Sequence, residues 1–208
     1  MESTKRSTKD KILHLLKKEV SLTVSDLTSL LAITHMAIRK HLTVLEKDGL
    51  IISKEVKQPM GRPLQSYSLS PKGELFFPKN YEGISVEFLR DIKDLHGDSA
   101  IQVLFEKREN RLTHEYKSRI NQRSPFEKVQ EIATIQNEKG YMAEVNQIDN
   151  STFELVEYNC PIFAIARDFK TACHCETKLF KNVSDTKDVN RISCKTEGDN
   201  HCKFLFKY

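Results

Sequence analysis

Apolar positions in the first fifty residues recur at helical rather than strand spacing. Ile12, Leu13, Leu15 and Leu16 share one side of the segment 8–18 while lysines take the other, which predicts a first helix. Val24, Leu27, Leu30 and Leu31 predict a short second helix that opens near Ser25-Asp26 and breaks at Ala32-Ile33. Thr34 is a capping residue for a third helix over 34–48, in which Ile38, Leu42 and Leu45 recur at i, i+4 and i+7 and Gly49 supplies the stop. The segment 50–56 then has strand character. The Pro/Gly-containing, basic stretch 57–63 predicts an exposed loop, and 65–69 alternates as a returning strand.

Three helices followed by a basic hairpin is the winged helix-turn-helix pattern. With Ile38, Leu42 and Leu45 buried, the third helix carries Thr34, His35, Ala37, Arg39, Lys40 and Thr43 on or near its other side, the face a recognition helix lays in the major groove. Arg39 is the base-reading candidate, because its planar fork can bond two acceptors on a guanine edge. Lys40, Lys54, Lys57 and Arg62 suit phosphates and set register, and His41 is expected to pack beside the helix. The runs 37–42 (Ala-Ile-Arg-Lys-His-Leu) and 45–51, with Gly61-Arg62-Pro63 in the hairpin tip, resemble bacterial winged-helix transcription regulators of the ArsR/DeoR-like kind. Charge agrees: residues 1–72 carry 13 Lys+Arg against 7 Asp+Glu, while the rest carry 20 against 22 in a chain of net charge +4. The expected partner is a double-stranded DNA operator.

Ser70-Pro71 can open a short helix through Phe77, and Pro78-Lys79-Asn80 marks a domain boundary. Ile84, Phe88, Leu89, Ile92 and Leu95 predict an amphipathic segment over 83–95. Asp98 is expected to cap a longer helix to about Asn121, with Ile101, Leu104, Phe105, Leu112, Tyr116 and Ile120 in a stripe interrupted by Arg108. Such a helix spans roughly 36 Å, enough to bridge two domains or pair with a second subunit. Reading a palindrome requires two recognition helices about one duplex turn apart, so a homodimer is expected, with 79–123 as helical linker and dimerisation segment between domains at 1–78 and 124–208.

The last part predicts helix, strand, strand, helix, helix, strand, strand. Ser124-Pro125-Phe126-Glu127 opens a helix to Gly140 with a capping box, and 141–148 and 152–158 are strands about Asp149-Asn150. Helices follow to Phe169 and to about Val183, and 190–197 and 200–207 form a hairpin around Gly198-Asp199. The expected fold class is thus α+β.

All five cysteines, Cys160, Cys173, Cys175, Cys194 and Cys202, lie in this part. The chain starts without the apolar run of a signal peptide and has no membrane-span candidate, so a cytoplasmic protein is expected. There a metal or a reversible thiol switch outranks a disulfide scaffold. Cys160 and Cys173 are expected at helix starts, where thiol pKa values fall, with Cys202 closing a site from the final strand. No Cys-x2-Cys knuckle supports a zinc ribbon, although His174 and His201 keep zinc open; a cysteine-rich set suits an iron–sulfur cluster better. A Cys/His nucleophile pair has no companion motif, so no enzyme is expected.

Tyr158-Asn159-Cys160-Pro161, Cys173-His174-Cys175-Glu176 and Gly198-Asp199-Asn200-His201-Cys202-Lys203-Phe204, behind a winged helix, resemble the SufR family of iron–sulfur-dependent repressors. The family pattern Cys-x12-Cys-x13-Cys-x14-Cys maps its first, second and last positions onto Cys160, Cys173 and Cys202, while the third falls on Lys187. The resemblance implies a DNA-binding repressor controlled by a cluster on those three cysteines, with Cys175 or Cys194 as a possible fourth ligand. The alternative is a winged-helix regulator that senses oxidants or zinc through thiols without a cluster.

Overall fold

The computed structural model describes residues 6–59 and 62–208, so Met60 and Gly61 of the hairpin tip lie outside the described residues. The chain divides into two compact units, Met1–Lys79 and Asn80–Tyr208.

The first unit contains α1 (Thr8–Glu19), β1 (Ser21–Thr23), α2 (Val24–Leu31), α3 (His35–Lys47), β2 (Ile51–Val56), β3 (Leu64–Leu69) and α4 (Pro71–Glu74). Ser7, Thr23 and Thr34 cap the three long helices by accepting the amides of Asp10, Asp26 and Ala37. Asp10 and Asp26 bond back to the cap residues, which draws the start of α2 to Val24, ahead of the expected Ser25. β1 has no counterpart in the sequence pattern. It is three residues long with one buried side chain, too short for a periodic signal, yet it pairs antiparallel with β3 to give a sheet of order β1-β3-β2. Ile12, Leu13, Leu16, Leu27, Ile38, Leu42, Leu45 and Ile51 form the core. Gly49 takes φ +72° to turn the chain from α3 into β2. Gly73 allows α4 to lie against the Leu50 carbonyl, where a Cβ would come within 2.0 Å of the oxygen.

The second unit contains α5 (Tyr81–His96), α6 (Asp98–Ile120), α7 (Pro125–Glu138), β4 (Ala143–Gln147), β5 (Thr152–Glu157), α8 (Phe163–Asp168), α9 (Thr171–Ser184), β6 (Val189–Ser193), a single 3-10 turn (Lys195–Glu197) and β7 (Cys202–Lys207). The four strands form an antiparallel sheet of order β4-β5-β7-β6. The expected α+β class holds.

Several boundaries differ from expectation. The helical segment 79–123 is not a separate linker, because Ile101, Phe105, Leu112, Tyr116 and Ile120 of α6 share one core with Leu155, Phe180, Phe204 and Phe206. Apart from the exposed Leu104, the α6 stripe is therefore consumed within its own chain. Asp98 is the first residue of α6 and makes no side-chain cap; its carboxylate pairs with Lys93 at 2.9 Å. β4 begins at Ala143 because Tyr141 is buried and Met142 takes φ +56°. β6 ends at Ser193 after a bulge, so Cys194 leaves the strand.

Candidate nucleic-acid interface and thiol centre

On α3 the burial of Ile38, Leu42 and Leu45 fixes which residues face out. Thr34, His35, Arg39, Lys40 and Thr43 are exposed, and Ala37 is half-buried. Two of these groups are already engaged: the Thr34 hydroxyl caps the helix, and the Thr43 hydroxyl donates to the Arg39 carbonyl at 3.0 Å. At roughly 100° per residue, Lys40, Lys47 and Met36 point most directly away from the buried line, and Arg39 stands about a quarter turn to one side. Met36, 79% exposed, and Lys47 were missed in the sequence; a helical projection finds both. An apolar side chain here is suited to a thymine methyl. His41 is half-buried. Lys54, Lys57 and Arg62 are exposed on and beside the wing, whose root is held to α3 by the Ser53 hydroxyl donating to Glu46 Oε1 at 2.6 Å.

In the second unit the antiparallel ladder brings distant thiols to one end of the sheet. Cys202 opens β7 opposite Glu157, the last residue of β5, and Cys160 follows three residues later. Ser193 pairs with Lys203, so Cys194 stands one step beyond that pair and faces the position of Cys202. The Lys195 amide donates to Cys202 Sγ at 3.4 Å. The Thr196 hydroxyl lies 3.2 Å from Cys194 Sγ and 3.7 Å from Cys173 Sγ, so one hydroxyl bridges the two thiols. Among the described residues, no three Cys, His, Asp or Glu side chains are drawn into a closed metal-binding arrangement.

Cys173 and Cys175 sit inside α9 and not in a break before it, and α8 begins three residues after Cys160. Nor are these thiols acidic. Burial pushes Cys160 up to about 11 and Cys202 up to about 12, and it raises Cys173 and Cys175 as well. Loss of hydration outweighs any helix-terminal field, and Glu176 adds to the rise at Cys160, Cys173 and Cys202. Arg191 opposes it at Cys173, and its largely buried guanidinium has one nitrogen, Nη1, with no hydrogen-bond partner among the described residues. Cys175 faces elsewhere: it lines a narrow cleft with Glu109, Leu112 and Tyr116. Of the histidines, His174 is exposed and His201 lies against Tyr158 with ring centroids 5.6 Å apart.

Behind the thiols lies a buried polar chain that the sequence did not announce. Tyr116 donates to Gln136 Oε1 at 2.5 Å, and Gln136 Nε2 donates to Glu157 Oε1 at 2.5 Å. Burial holds the Glu157 carboxyl well above the ordinary carboxylate range, and Glu176 reinforces this. Glu176, half-buried as a residue with its carboxyl turned inward, is raised for the same reason.

Residues 9–54, from α1 into β2, match the family model of the DeoR-like helix-turn-helix domain. The match lies within the first unit and supports a DNA-binding transcriptional regulator with a helix-turn-helix domain there. Among solved structures, a cysteine-to-serine mutant of Lactococcus lactis ZitR is 21% identical over 56% of this chain and 78% of that one, with a TM-score of 0.29. Bacillus subtilis PadR in complex with operator DNA is 16% identical over 85% of this chain and 99% of that one, with a TM-score of 0.32. No curated protein matches the chain. No helix among the described residues is long and apolar enough to cross a membrane.

Proposed function

We propose that the chain is a homodimeric winged-helix repressor whose hold on a double-stranded operator is set by an iron–sulfur cluster ligated by Cys160, Cys173 and Cys202. The observation that carries this is the placement of Cys160 and Cys202 at one end of the β5–β7 ladder, with the Thr196 hydroxyl beside it in contact with both Cys173 and Cys194, in a chain that also has a winged helix. The donor set fits such a group. The ligands are sulfurs, and the unpaired Nη1 of Arg191 provides a cation beside Cys173 for an anionic occupant. Bound there, a cluster supplies sensitivity to iron supply and oxidants. The protein's own part is to hold three elements in one arrangement, so that losing the occupant loosens the end of the sheet and the start of α9.

A dimer is supported by apolar side chains left in solvent. Tyr81, Phe88 and Leu95 are 72%, 59% and 76% exposed on α5 at seven-residue spacing, with Ile84 beside them. Leu104 and Val103 of α6 are exposed too. The alternative, a cluster-free oxidant or zinc sensor, draws support from the hydroxyl shared by Cys173 and Cys194, which keeps two thiols close.

Purification without oxygen, with iron, sulfide and zinc analysis and titration of an operator by the loaded and stripped protein, tests the proposal. Iron and sulfide in the protein and tighter operator binding when loaded are expected. Stoichiometric zinc without sulfide, or identical affinities of the two forms, would refute it.

A further inference from the structure

We infer that Cys194 is the fourth thiolate of this centre, completing a four-sulfur shell with Cys160, Cys173 and Cys202, and that Cys175 stands outside it. This rests on the reading of the second unit as a domain that binds a cluster or metal through its thiols.

Two independent features of the chain bring Cys194 in. The first is register: Ser193↔Lys203 is the last pair of the β6–β7 ladder, so the next position on β6's side is Cys194 and the next on β7's side is Cys202. The second is the turn that follows. The Cys194 amide donates to Asp199 Oδ2 at 2.8 Å, the Cys194 carbonyl accepts from Glu197 at 2.9 Å, and Gly198 at φ +105° lets the loop close. That closed loop presents the Lys195 amide to Cys202 and the Thr196 hydroxyl to both Cys173 and Cys194. Lys170, just before α9, donates to the Thr196 carbonyl, which fastens the loop to the helix bearing Cys173. Three consecutive residues, Cys194, Lys195 and Thr196, thus all touch the thiol set.

The same geometry puts Cys175 outside. Two residues along an α-helix is roughly 200° of rotation, so Cys173 and Cys175 cannot serve one site from α9. Cys175 faces α6, where it lines a cleft with Glu109, Leu112 and Tyr116. Cys194 also has what a ligand delivered from solution requires. It lines an open basin of about 480 Å³ whose charged residues are Lys178, Lys181 and Arg191 against Glu197 and Asp199, an opening from solvent towards otherwise buried sulfurs. On binding, each S–H bond is exchanged for an S–metal bond and the proton leaves to water.

The test uses the full chain and three probes. In anaerobic reconstitution with ferrous iron and sulfide, Cys194→Ser is expected to lose most of its iron and sulfide on desalting, while Cys175→Ser keeps the wild-type complement. With Cd2+ alone, the thiolate charge-transfer absorbance of Cys194→Ser should fall by about a quarter from wild type, as one of four soft ligands is removed, with Cys175→Ser unchanged. Cys194→Ala serves as second variant, with thermal unfolding of the metal-free proteins as the check on folding. The third probe needs no variant. Diamide takes two electrons and two protons from a neighbouring thiol pair, and peptide mapping should find Cys194 joined to Cys173 or Cys202. Wild-type iron and Cd2+ absorbance in Cys194→Ser, or Cys175 in place of Cys194 in the mapped disulfide, overturns the inference. Wild type that takes up no iron and sulfide, yet loses a quarter of its Cd2+ absorbance in Cys194→Ser, overturns the cluster and leaves the four-thiolate shell standing.

Discussion

Arg39→Ala separates sequence reading from general attraction to DNA. Arg39 is exposed on α3, and among the described residues its guanidinium has no ion-pair or hydrogen-bond partner. Deleting it therefore breaks nothing in the free protein, and stability should change by no more than about 0.5 kcal/mol. On DNA, a bidentate contact to a guanine edge is worth about 1–3 kcal/mol of discrimination, roughly a 5- to 150-fold loss on the specific site and little on random duplex. Lys57, exposed beyond β2, is the comparator. A lost phosphate contact weakens all sequences alike and reduces the slope of log K against log salt by about 0.9. Competition gel shifts at two salt concentrations measure both quantities. If Arg39→Ala weakens specific and random duplex equally and lowers the salt slope as Lys57→Ala does, Arg39 holds a phosphate, and the outward-pointing Lys40 and Met36 become the base readers.

Three further outcomes are expected. Glu109 is buried, accepts from Thr113 at 3.0 Å and Asn182 at 2.8 Å, and faces Lys178 Nζ at 3.3 Å. Glu109→Ala should cost about 2–4 kcal/mol in urea unfolding, and Lys178→Ala, whose side chain is 57% exposed, about 1 kcal/mol or less; equal losses would contradict this account. Glu157 and Glu176 bind their protons more tightly folded than unfolded, so their contribution to stability is complete below about 4.5, their ordinary value, and is lost as pH rises through the raised folded values. Unfolding of the metal-free protein from pH 5 to 8 should show a shallower decline in Glu157→Gln than in wild type, and parallel declines would be the contrary result. If the chain is the proposed dimer, Phe88→Glu, which places a charge in the exposed apolar row of α5, should yield a monomer in light scattering without lowering the unfolding temperature; a mass unchanged from wild type would remove α5 from the proposed interface.

The winged helix was legible because each of its signals is local. The cap at Thr34, the 3.6-residue recurrence of Ile38, Leu42 and Leu45, and the stop at Gly49 depend on near neighbours in sequence. What failed needed knowledge of distant partners. The α6 stripe looks the same whether it meets a second subunit or its own sheet, and only the packing of Phe180 and Phe204 decides. The thiol pKa values followed burial and Glu176, neither visible in the spacing of the cysteines. Cys194 was obscured by a strand expected to run to Glu197, whereas the bulge between Arg191 and Ser193 ends β6 just before it.

That early ending of β6 matters beyond the ligand set. Had the strand continued, the Cys194 amide and carbonyl would be taken up by a ladder, and the sheet end would be rigid whether or not the thiols held anything. As a turn, 194–199 is tied by side chains, Asp199 to the Cys194 amide and Lys170 to the Thr196 carbonyl, contacts that break singly and cheaply. Next to it, Glu157 pairs with Cys202 across the ladder and ends the polar chain that runs through Gln136 to Tyr116 of α6. In the proposed sensor, a charge that appears or disappears among the thiols would act at short range on a carboxyl kept neutral by burial, and the Gln136 amide, which donates to that carboxyl and favours its ionised form, would hold it more tightly once it ionised. The proposed sensor would thus have its sensitivity in the turn and its transmission in the buried chain. On that proposal the long helix would feel the state of the sulfurs through electrostatics at short range, with the apolar core around Phe180 and Phe204 left as it is.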